Sequence, residues 1–135
     1  MVEYNKPLPE ITPDNQPFWE ACKRHELCLQ RCQDCGHLRL PSPICQQCLS
    51  MNSEWVRVSG RGKVYTWTTI YQRYHPAFAE ELPYNVTMVA LEEGPRLLAN
   101  IVDCKNEDLR IGMEVEVVFE DVTEEITLPK FRPVT

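Results

Sequence analysis

The chain of 135 residues contains no apolar run near the roughly 20 residues that a helix needs to cross a bilayer. It has five glycines against eleven prolines, which predicts stiff connections and few flexible linkers. Clusters of lysine or arginine are also missing, and residues 61–135 carry eight basic and thirteen acidic side chains. That balance argues against the general phosphate-neutralising mode of nucleic-acid binding. The first ten residues lack the apolar core of a secretory leader, so we expect a soluble cytoplasmic protein.

Cysteine is the residue whose arrangement carries the clearest chemistry. Four of the seven cysteines form two pairs, each with a two-residue gap, and nine residues separate the pairs. A two-residue gap lets both thiolates of a pair face one ion, and two such pairs complete a closed tetrahedral site. The expected ion is structural zinc, with a rubredoxin-like iron site as the alternative. The predicted ligands are Cys32, Cys35, Cys45 and Cys48.

Other uses of the cysteines are less favoured. Disulfide bonds would leave a stray thiol, because the number is odd, and they need an oxidising compartment. A redox dithiol needs one pair after a strand and leaves the second pair unexplained. We expect the three remaining cysteines, Cys22, Cys28 and Cys104, to lie in or near the core. A nucleophilic Cys22 beside His25 is the less favoured hypothesis, since it also requires an oxyanion hole.

The first half of the chain predicts small elements around the cysteine pairs. Residues 1–13 are rich in proline and predict an extended arm. Apolar residues at helical spacing predict a short helix over 17–25, with Trp19 outside the apolar stripe. Alternating segments at 27–31 and 37–40 predict a hairpin whose turn is the first cysteine pair.

The second half of the chain has the pattern of a β-domain. Segments rich in β-branched and aromatic residues predict five strands, at 63–71, 86–91, 97–102, 115–119 and 126–131. Gly60 and Gly62 predict a bend or bulge where the first strand curls. Residues 106–111 predict a helical turn between the third and fourth strands. Five strands with a curled first strand fit an OB-fold, a small Greek-key barrel.

Together these elements predict a mostly β chain with little α-helix. An N-terminal arm and helix cover residues 1–26, a rubredoxin-like zinc ribbon covers 27–53, and the five-stranded OB-fold barrel covers 54–135. The longest irregular segment, 72–85, connects the first two strands of the barrel, and connections of this length are often functional.

Several motifs occur in an order that is more specific than any one of them. FWEA at 18–21 precedes the four-cysteine ribbon, and SGRGKVY follows at 59–65. EGPRL, RIGMEVEV and LPKFRP then occur at 93–97, 110–117 and 128–133. In this order the chain resembles, over nearly its whole length, the zinc-ribbon plus OB-fold family long filed as a domain of unknown function and often called acyl-CoA-associated. Leu49 and Ser50 after the second cysteine pair are a departure from that pattern.

The resemblance implies a non-catalytic accessory subunit of a thiolase-superfamily enzyme. Members of the family partner thiolases such as the benzoylsuccinyl-CoA type, and aldolases that look like thiolases. The implied partner is a thiolase-like catalytic subunit in a hetero-oligomer, with acyl-CoA as a shared ligand. The candidate contacts with CoA phosphates are Arg61, Lys63, Arg73 and His75. The candidate contacts with the catalytic subunit are Trp19, Tyr74, Phe78 and Tyr84.

Two hypotheses from other classes remain open at this point. OB-folds often bind single-stranded nucleic acid on aromatic platforms, and Tyr65, Trp67 and Tyr71 are the candidates for stacking. A free-standing thioester hydrolase would have to use His75 or Cys22. The acidic balance of the barrel half disfavours the first hypothesis, and a filled metal site disfavours the second.

Overall fold

The structure of the protein is a computed structural model, and it describes residues 8–72 and 76–134. Its first element is helix α1 (Gln16–Lys23), which has Pro17 in its first turn and Lys23 in its last. The helix ends two residues before the predicted position, because His25 adopts a left-handed conformation with φ of 59°. No helix within the described part of the chain is long and apolar enough to cross a membrane.

The ribbon contains a three-stranded antiparallel sheet in the order β2-β1-β3. Its strands are β1 (Cys28–Cys32), β2 (Leu38–Arg39) and β3 (Ser53–Arg57). β1 is central, and the turn after it holds the first cysteine pair, as expected for the hairpin. β3 pairs with β1 along its whole length, although the sequence pattern does not reveal this strand. The domain boundary after residue 53 stays a prediction, and β3 crosses it.

The barrel consists of five antiparallel strands in the order β6-β5-β4-β7-β8. Their bounds are β4 (Arg61–Ile70), β5 (Tyr84–Leu91), β6 (Arg96–Ala99), β7 (Glu114–Asp121) and β8 (Thr127–Pro133). A 3-10 helix over Asn106–Asp108 lies between β6 and β7, within the predicted helical turn. The predicted fold class, a small helix with a zinc ribbon and a five-stranded OB-fold, is confirmed.

The barrel closes where the chain after β6 meets β8. Ile101 and Phe131 form a parallel bridge, in which the Phe131 N–H donates to the Asn100 carbonyl at 3.0 Å. The Val102 N–H donates to the Phe131 carbonyl at 2.7 Å. Away from this bridge β6 and β8 lie at opposite edges of the sheet order. The result is an open seam between these two strands.

Two glycines shape the entry to β4, although the bulge itself lies elsewhere. Gly60 has φ of 78°, and a Cβ there would lie 2.4 Å from Cγ1 of Val117. Gly62 approaches β5 so closely that a Cβ would lie 2.6 Å from the Ala90 carbonyl oxygen. The irregularity in the β4–β5 register falls between Val64 and Thr66. The glycines therefore permit a left-handed turn and a close approach, and the predicted bulge lies further along the strand.

One apolar core joins the helix, the ribbon and the barrel. The helix contributes Phe18 and Cys22, and the ribbon contributes Leu27 and Leu29. The barrel contributes Val58, Val64, Val89, Leu91, Ile101, Leu109, Val115 and Phe131. Because these side chains pack in one cluster, the ribbon is held against the barrel by burial as well as by the chain connection.

Candidate functional site

The four predicted ligands come together at one end of the ribbon. The sulfurs of Cys32, Cys35, Cys45 and Cys48 all lie within 4.8 Å of one another. The distances are 3.5 Å between the sulfurs of Cys32 and Cys48, and 3.6 Å between those of Cys35 and Cys45. Tetrahedral zinc with Zn–S bonds of about 2.3 Å requires sulfurs about 3.8 Å apart. The cluster therefore fits a structural zinc ion with four thiolate ligands.

Backbone N–H groups of the two turns stabilise thiolates in the cluster. The Cys35 N–H lowers the pKa of the Cys32 thiol to about 6, and the Cys48 N–H lowers the pKa of Cys45. The hydrogen bond from the Ser50 N–H lowers the pKa of Cys48. The hydrogen bond between Cys48 and Cys32, together with burial, outweighs this effect and raises the pKa of Cys48 to about 12. Burial is among the causes that raise the pKa of Cys35 as well, so deprotonation of all four thiols at these distances would require a cation between them.

The two turns of the cluster have matching backbone conformations despite their different sequences. Gly36 follows the first pair with φ of 79°, and Leu49 follows the second pair with φ of 64°. Leu49 is 71% exposed, so its side chain meets no packing obstacle in this conformation. The Ser50 hydroxyl donates to the Asp34 carboxylate across the cluster, and Asn52 donates to the same carboxylate at 3.3 Å. The departure from the family pattern at Leu49 therefore leaves the turn geometry intact.

The remaining cysteines do not form a nucleophilic centre. Cys22 is fully buried, and burial raises the pKa of its thiol to about 12. Burial also raises the pKa of Cys28 and of Cys104. The expectation that these cysteines lie in or near the core agrees with their positions.

The side chain of His25 contacts the barrel, while its backbone N–H donates to the Cys22 carbonyl at 2.9 Å. Its Nε2 lies 3.0 Å from Oδ1 of Asp121, and its ring stacks on Phe119 with the centroids 5.2 Å apart. Asp121 also accepts a hydrogen bond from the Thr127 hydroxyl at 2.6 Å. The hydrogen bond from the Thr127 hydroxyl lowers the pKa of the Asp121 carboxyl most, and the hydrogen bond with His25 lowers this pKa further. This contact ties the end of α1 to the barrel.

A long groove follows the seam between β6 and β8. It consists of two adjoining clefts with volumes of about 690 and 600 Å³. Both clefts are lined by Leu98, Ala99, Asn100, Leu128 and Lys130, and we call the combined surface the seam groove. One end reaches α1 and the proline turn after β2, and the other end reaches the 3-10 helix Pro76–Glu81.

Three of the predicted partner contacts lie along the seam groove. Trp19 lines its helix end and packs edge-on against Phe18, with the ring centroids 5.0 Å apart. Its Nε1 is buried and has no acceptor within the described residues. Phe78 and Tyr84 line the other end, with ring centroids 5.6 Å apart. Tyr74 lies outside the described residues.

Two of the predicted contacts with CoA phosphates lie side by side, away from the seam groove. Arg61 and Lys63 line a cleft of about 300 Å³ at the start of β4. Two carboxylates, Glu92 and Glu114, line the same cleft and reduce its positive potential. Arg73 and His75 lie outside the described residues.

The proposed aromatic platform on β4 is partly occupied by the protein itself. The Arg96 guanidinium carbon lies 3.9 Å from the centre of the Tyr65 ring. Trp67 packs against the core, and Tyr71 is 74% exposed. These three aromatic side chains therefore do not form one open surface on which bases could stack.

The sequence does not single out the aliphatic centre of the seam groove. Leu98 and Leu128 come from strands about thirty residues apart, and each looks like an ordinary strand residue. Only the closure of the barrel places them side by side. The motifs FWEA, EGPRL and LPKFRP each contribute residues to this groove, and all three belong to the pattern that carries the family resemblance.

Comparison with protein families matches two adjoining regions of the chain. Residues 19–52 match the family described as "ChsH2, rubredoxin-like zinc ribbon domain". Residues 55–120 match the family described as "ChsH2, C-terminal OB-fold domain". The two matches cover the four cysteines and most of the barrel.

Comparison with curated proteins finds relatives of two lengths. A "DUF35 domain-containing scaffold protein" from Methanocaldococcus jannaschii is 40% identical over 110 residues, which cover 79% of this chain and 77% of that protein. A "Probable enoyl-CoA hydratase alpha subunit" from Thermomonospora curvata is 40% identical over 129 residues. That match covers 95% of this chain, but the chain spans only 40% of that relative.

Comparison with solved structures finds a chain of matching size. A chain from the structure titled "Ltp2-ChsH2(DUF35) aldolase" superposes with a TM-score of 0.86 at 40% identity. The match covers 95% of this chain and all of that one.

Proposed function

The chain belongs to the ChsH2/DUF35 family of zinc-ribbon and OB-fold proteins, and we propose that it is a non-catalytic accessory subunit of a thiolase-superfamily enzyme. In this role it binds a thiolase-like catalytic subunit in a hetero-oligomer and helps to form or close the acyl-CoA site. Acyl-CoA is then a ligand shared by the two subunits, and zinc is the ion of the four-cysteine cluster. The partner is a thiolase, for example of the benzoylsuccinyl-CoA type, or a thiolase-like aldolase.

The seam groove is the observation that carries the proposal. Leu98 at its centre is 61% exposed, and aliphatic or aromatic side chains from α1, β6 and β8 continue the apolar lining. Contiguous apolar surface of this kind on a small domain marks a protein–protein or ligand interface. Trp19, Phe78 and Tyr84 stand at its two ends, and aromatic anchors of this type dominate the binding energy of many interfaces.

The composition of the other sites supports an accessory role. A zinc ion held by all four cysteines of the cluster would have no open position for a substrate or a water molecule. Cys22 is protonated at neutral pH, and His25 is engaged by Asp121. Within the described residues, a thiol paired with a histidine base is therefore not available for acyl transfer.

The aldolase chain of known structure supports the type of partner. That chain, from the Ltp2-ChsH2(DUF35) aldolase, matches 95% of this chain at 40% identity. The shared size and fold make the same kind of assembly the natural expectation for this chain. Arg61 and Lys63 are the described candidates for CoA phosphates, while Arg73, His75 and Tyr74 remain predictions from the sequence.

The direct test is co-expression of the chain with the products of its neighbouring genes and with a thiolase-like catalytic subunit. We expect the two chains to co-elute, and we expect acyl-CoA turnover by the catalytic subunit to depend on the complex. Leu98→Asp places a charge at the centre of the seam groove and should weaken assembly by at least about a hundredfold, because burying an unpaired charge is strongly unfavourable.

The matched control is Ile111→Asp, which places the same charge on an exposed aliphatic residue that does not line the seam groove. This variant should assemble like the wild type. Equal assembly by Leu98→Asp and wild type would show that the seam groove is not the interface. Failure of the wild-type chain to retain any thiolase-like partner, with turnover unchanged, would contradict the accessory role itself.

A further inference from the structure

The outer edge of β6 carries backbone groups without a partner. The Leu91 N–H donates to the Pro95 carbonyl at 2.9 Å, so these two residues form a hydrogen-bonded pair at the start of the β5–β6 register. Hydrogen-bonded and non-hydrogen-bonded pairs alternate along an antiparallel ladder. Leu97 therefore exchanges its hydrogen bonds with β5, whereas the N–H and C=O of Leu98 point away from β5 into the seam. In the described part of the chain no backbone group bonds to Leu98 on that side.

One residue of β8 explains why this edge stays open. In the parallel bridge, Phe131 accepts from Val102 and donates to Asn100. Two residues earlier on β8, position 129 would occupy the equivalent place in a continued ladder, with its N–H donating to the Leu98 carbonyl. Position 129 is a proline, which has no N–H to donate. The pairing of β6 with β8 therefore ends at the bridge, and Leu98 keeps a free donor and a free acceptor.

β6 also has little protection against the addition of another strand. Natural edge strands are usually blunted by prolines, bulges or charged side chains. The one charged residue of β6, Arg96, lies over the Tyr65 ring at 3.9 Å. Leu98 is 61% exposed and lines both clefts of the seam groove. Unpaired backbone groups and an exposed apolar side chain thus occur at the same residue, as in sheets that bind peptides by strand addition.

We propose that an extended segment of the thiolase-like catalytic subunit enters the seam groove and pairs with the outer edge of β6 as an added strand. This inference rests on the accessory role proposed above and specifies how the two chains join. The N–H and C=O of Leu98 bond to the backbone of the segment. Every second side chain of the segment then lies on the same side of the sheet as Leu98, and these side chains are apolar.

A single extended segment fits this edge better than a second copy of the chain. The edge forms one wall of the seam groove, whose ends are bounded by α1 and by the 3-10 helix Pro76–Glu81. In a symmetric pair each β6 would stand in its own groove. The β8 walls of the two copies would then meet before the two edges reached the separation of about 4.8 Å that paired strands require.

The test measures hydrogen exchange of single backbone amides in the zinc-bound chain, both alone and in complex with the catalytic subunit. In the free chain the Leu98 amide should exchange quickly, because it has no acceptor. The Leu97 amide serves as the internal control, since its hydrogen bond to β5 protects it in both states. In the complex, exchange at Leu98 should slow by at least about tenfold, and exchange at Leu97 should change little. A Leu98 amide that is already protected in the free chain, or that gains no protection on binding, would overturn the proposal.

Two substitutions at one position separate backbone pairing from side-chain packing. Leu98→Pro removes both the side chain and the outward N–H, and an edge strand tolerates proline where the N–H faces away from the sheet. Leu98→Ala removes the side chain and keeps the N–H. We expect the proline variant to bind the catalytic subunit at least about fivefold more weakly than the alanine variant, because a carbonyl of the partner loses its donor. Equal affinities of the two folded variants would overturn the proposal.

Zinc content and the midpoint of thermal unfolding report whether each variant is folded. If Leu98→Pro does not fold, the exchange measurement on the wild-type chain decides alone. A complex that forms without protection of Leu98 rejects strand addition and leaves the accessory role standing, whereas the absence of any complex contradicts both. Sedimentation of the chain alone adds a last outcome, since a dimer in which Leu98 is protected would assign the edge to a second copy and overturn the proposal.

Discussion

The ribbon and the barrel bury different kinds of side chain. Seven ribbon residues are buried, and only two of them are aliphatic: Leu27, Cys28, Leu29, Gln30, Cys32, Arg39 and Cys45. The buried residues of the barrel are mainly aliphatic or aromatic, and include Val64, Val89, Leu91, Val115 and Phe131. We expect a region with so little apolar surface to obtain much of its order from metal coordination, whereas the barrel obtains its order from hydrophobic burial. The same short chain would then use two sources of stability.

The two regions are nevertheless joined by specific contacts. The Val58 N–H donates to the Leu27 carbonyl at 2.9 Å, which continues the ribbon sheet into the start of the barrel. Leu27 and Leu29 belong to the same apolar cluster as Phe131. On the other side, His25 and Asp121 connect the end of α1 to β7. We therefore expect coordination to order the ribbon and hydrophobic burial to order the barrel, with these contacts joining the two regions.

Removal of one metal ligand tests the ribbon side of this comparison with the largest expected effect. Cys35→Ser should abolish zinc binding and unfold the ribbon, because coordination supplies about 10–16 kcal/mol in zinc-finger peptides at neutral pH. Zinc content and hydrogen exchange of the β1 amides measure the effect. We also expect loss of partner assembly, since Trp19 and the proline turn after β2 lose their support.

Cys104→Ser is the matched control, because Cys104 lies outside the cluster and should leave zinc content unchanged. A Cys35→Ser variant that loses its metal and still assembles with the catalytic subunit would refute the structural role of the cluster. Retention of protected β1 amides in that variant would show that burial alone orders the ribbon.

Truncation of the central aromatic residue tests the barrel side. Phe131 is fully buried, and Phe131→Ala should lower the free energy of unfolding by about 3–5 kcal/mol. Denaturant unfolding followed by tryptophan fluorescence and circular dichroism measures this change. Under native conditions zinc stoichiometry should stay at the wild-type value, since none of the ligands is touched. Ile111→Ala, at a side chain that is 76% exposed, should change stability by less than about 0.5 kcal/mol.

A smaller effect is expected at the entry from the ribbon into the barrel. Gly60→Ala places a methyl group 2.4 Å from Cγ1 of Val117 in a left-handed conformation, so we expect a loss of about 1–3 kcal/mol. Gly112→Ala introduces a side chain at a similar positive φ of 86° with nothing within 4 Å. The difference between the two variants in thermal unfolding isolates the contact with Val117. Equal losses would show that the close approach to β7 is unimportant.

The elements that depend on neighbours in sequence were predictable. The cysteine spacing predicted the cluster of four sulfurs, because a two-residue gap fixes the geometry of each turn locally. The alternation in β5 gave a half-buried strand, and its alternate residues are indeed buried. α1 ends earlier than predicted because the left-handed His25 leaves the helix to reach Asp121, a partner 96 residues away.

Features that depend on distant parts of the chain were not predictable. β3 has no clear alternation of burial, since it covers one edge of the ribbon sheet and meets β1 only after the second cysteine pair. Arg39 alternates with Leu38 and Leu40 like an exposed strand residue, yet it is buried and bound to Ser42. The seam groove likewise requires the closure of β8 against the chain after β6.

The bridge between Ile101 and Phe131 has a consequence for engineering of the chain. Phe131 fills the core with its ring and closes the barrel with its backbone, while Lys130 and Leu128 on the same strand line the seam groove. Residues that face outward on β6 and β8 can be exchanged without altering the metal cluster or the apolar core. Transplanting the groove-lining side chains of a relative onto this chain should therefore transfer partner choice while leaving the scaffold unchanged.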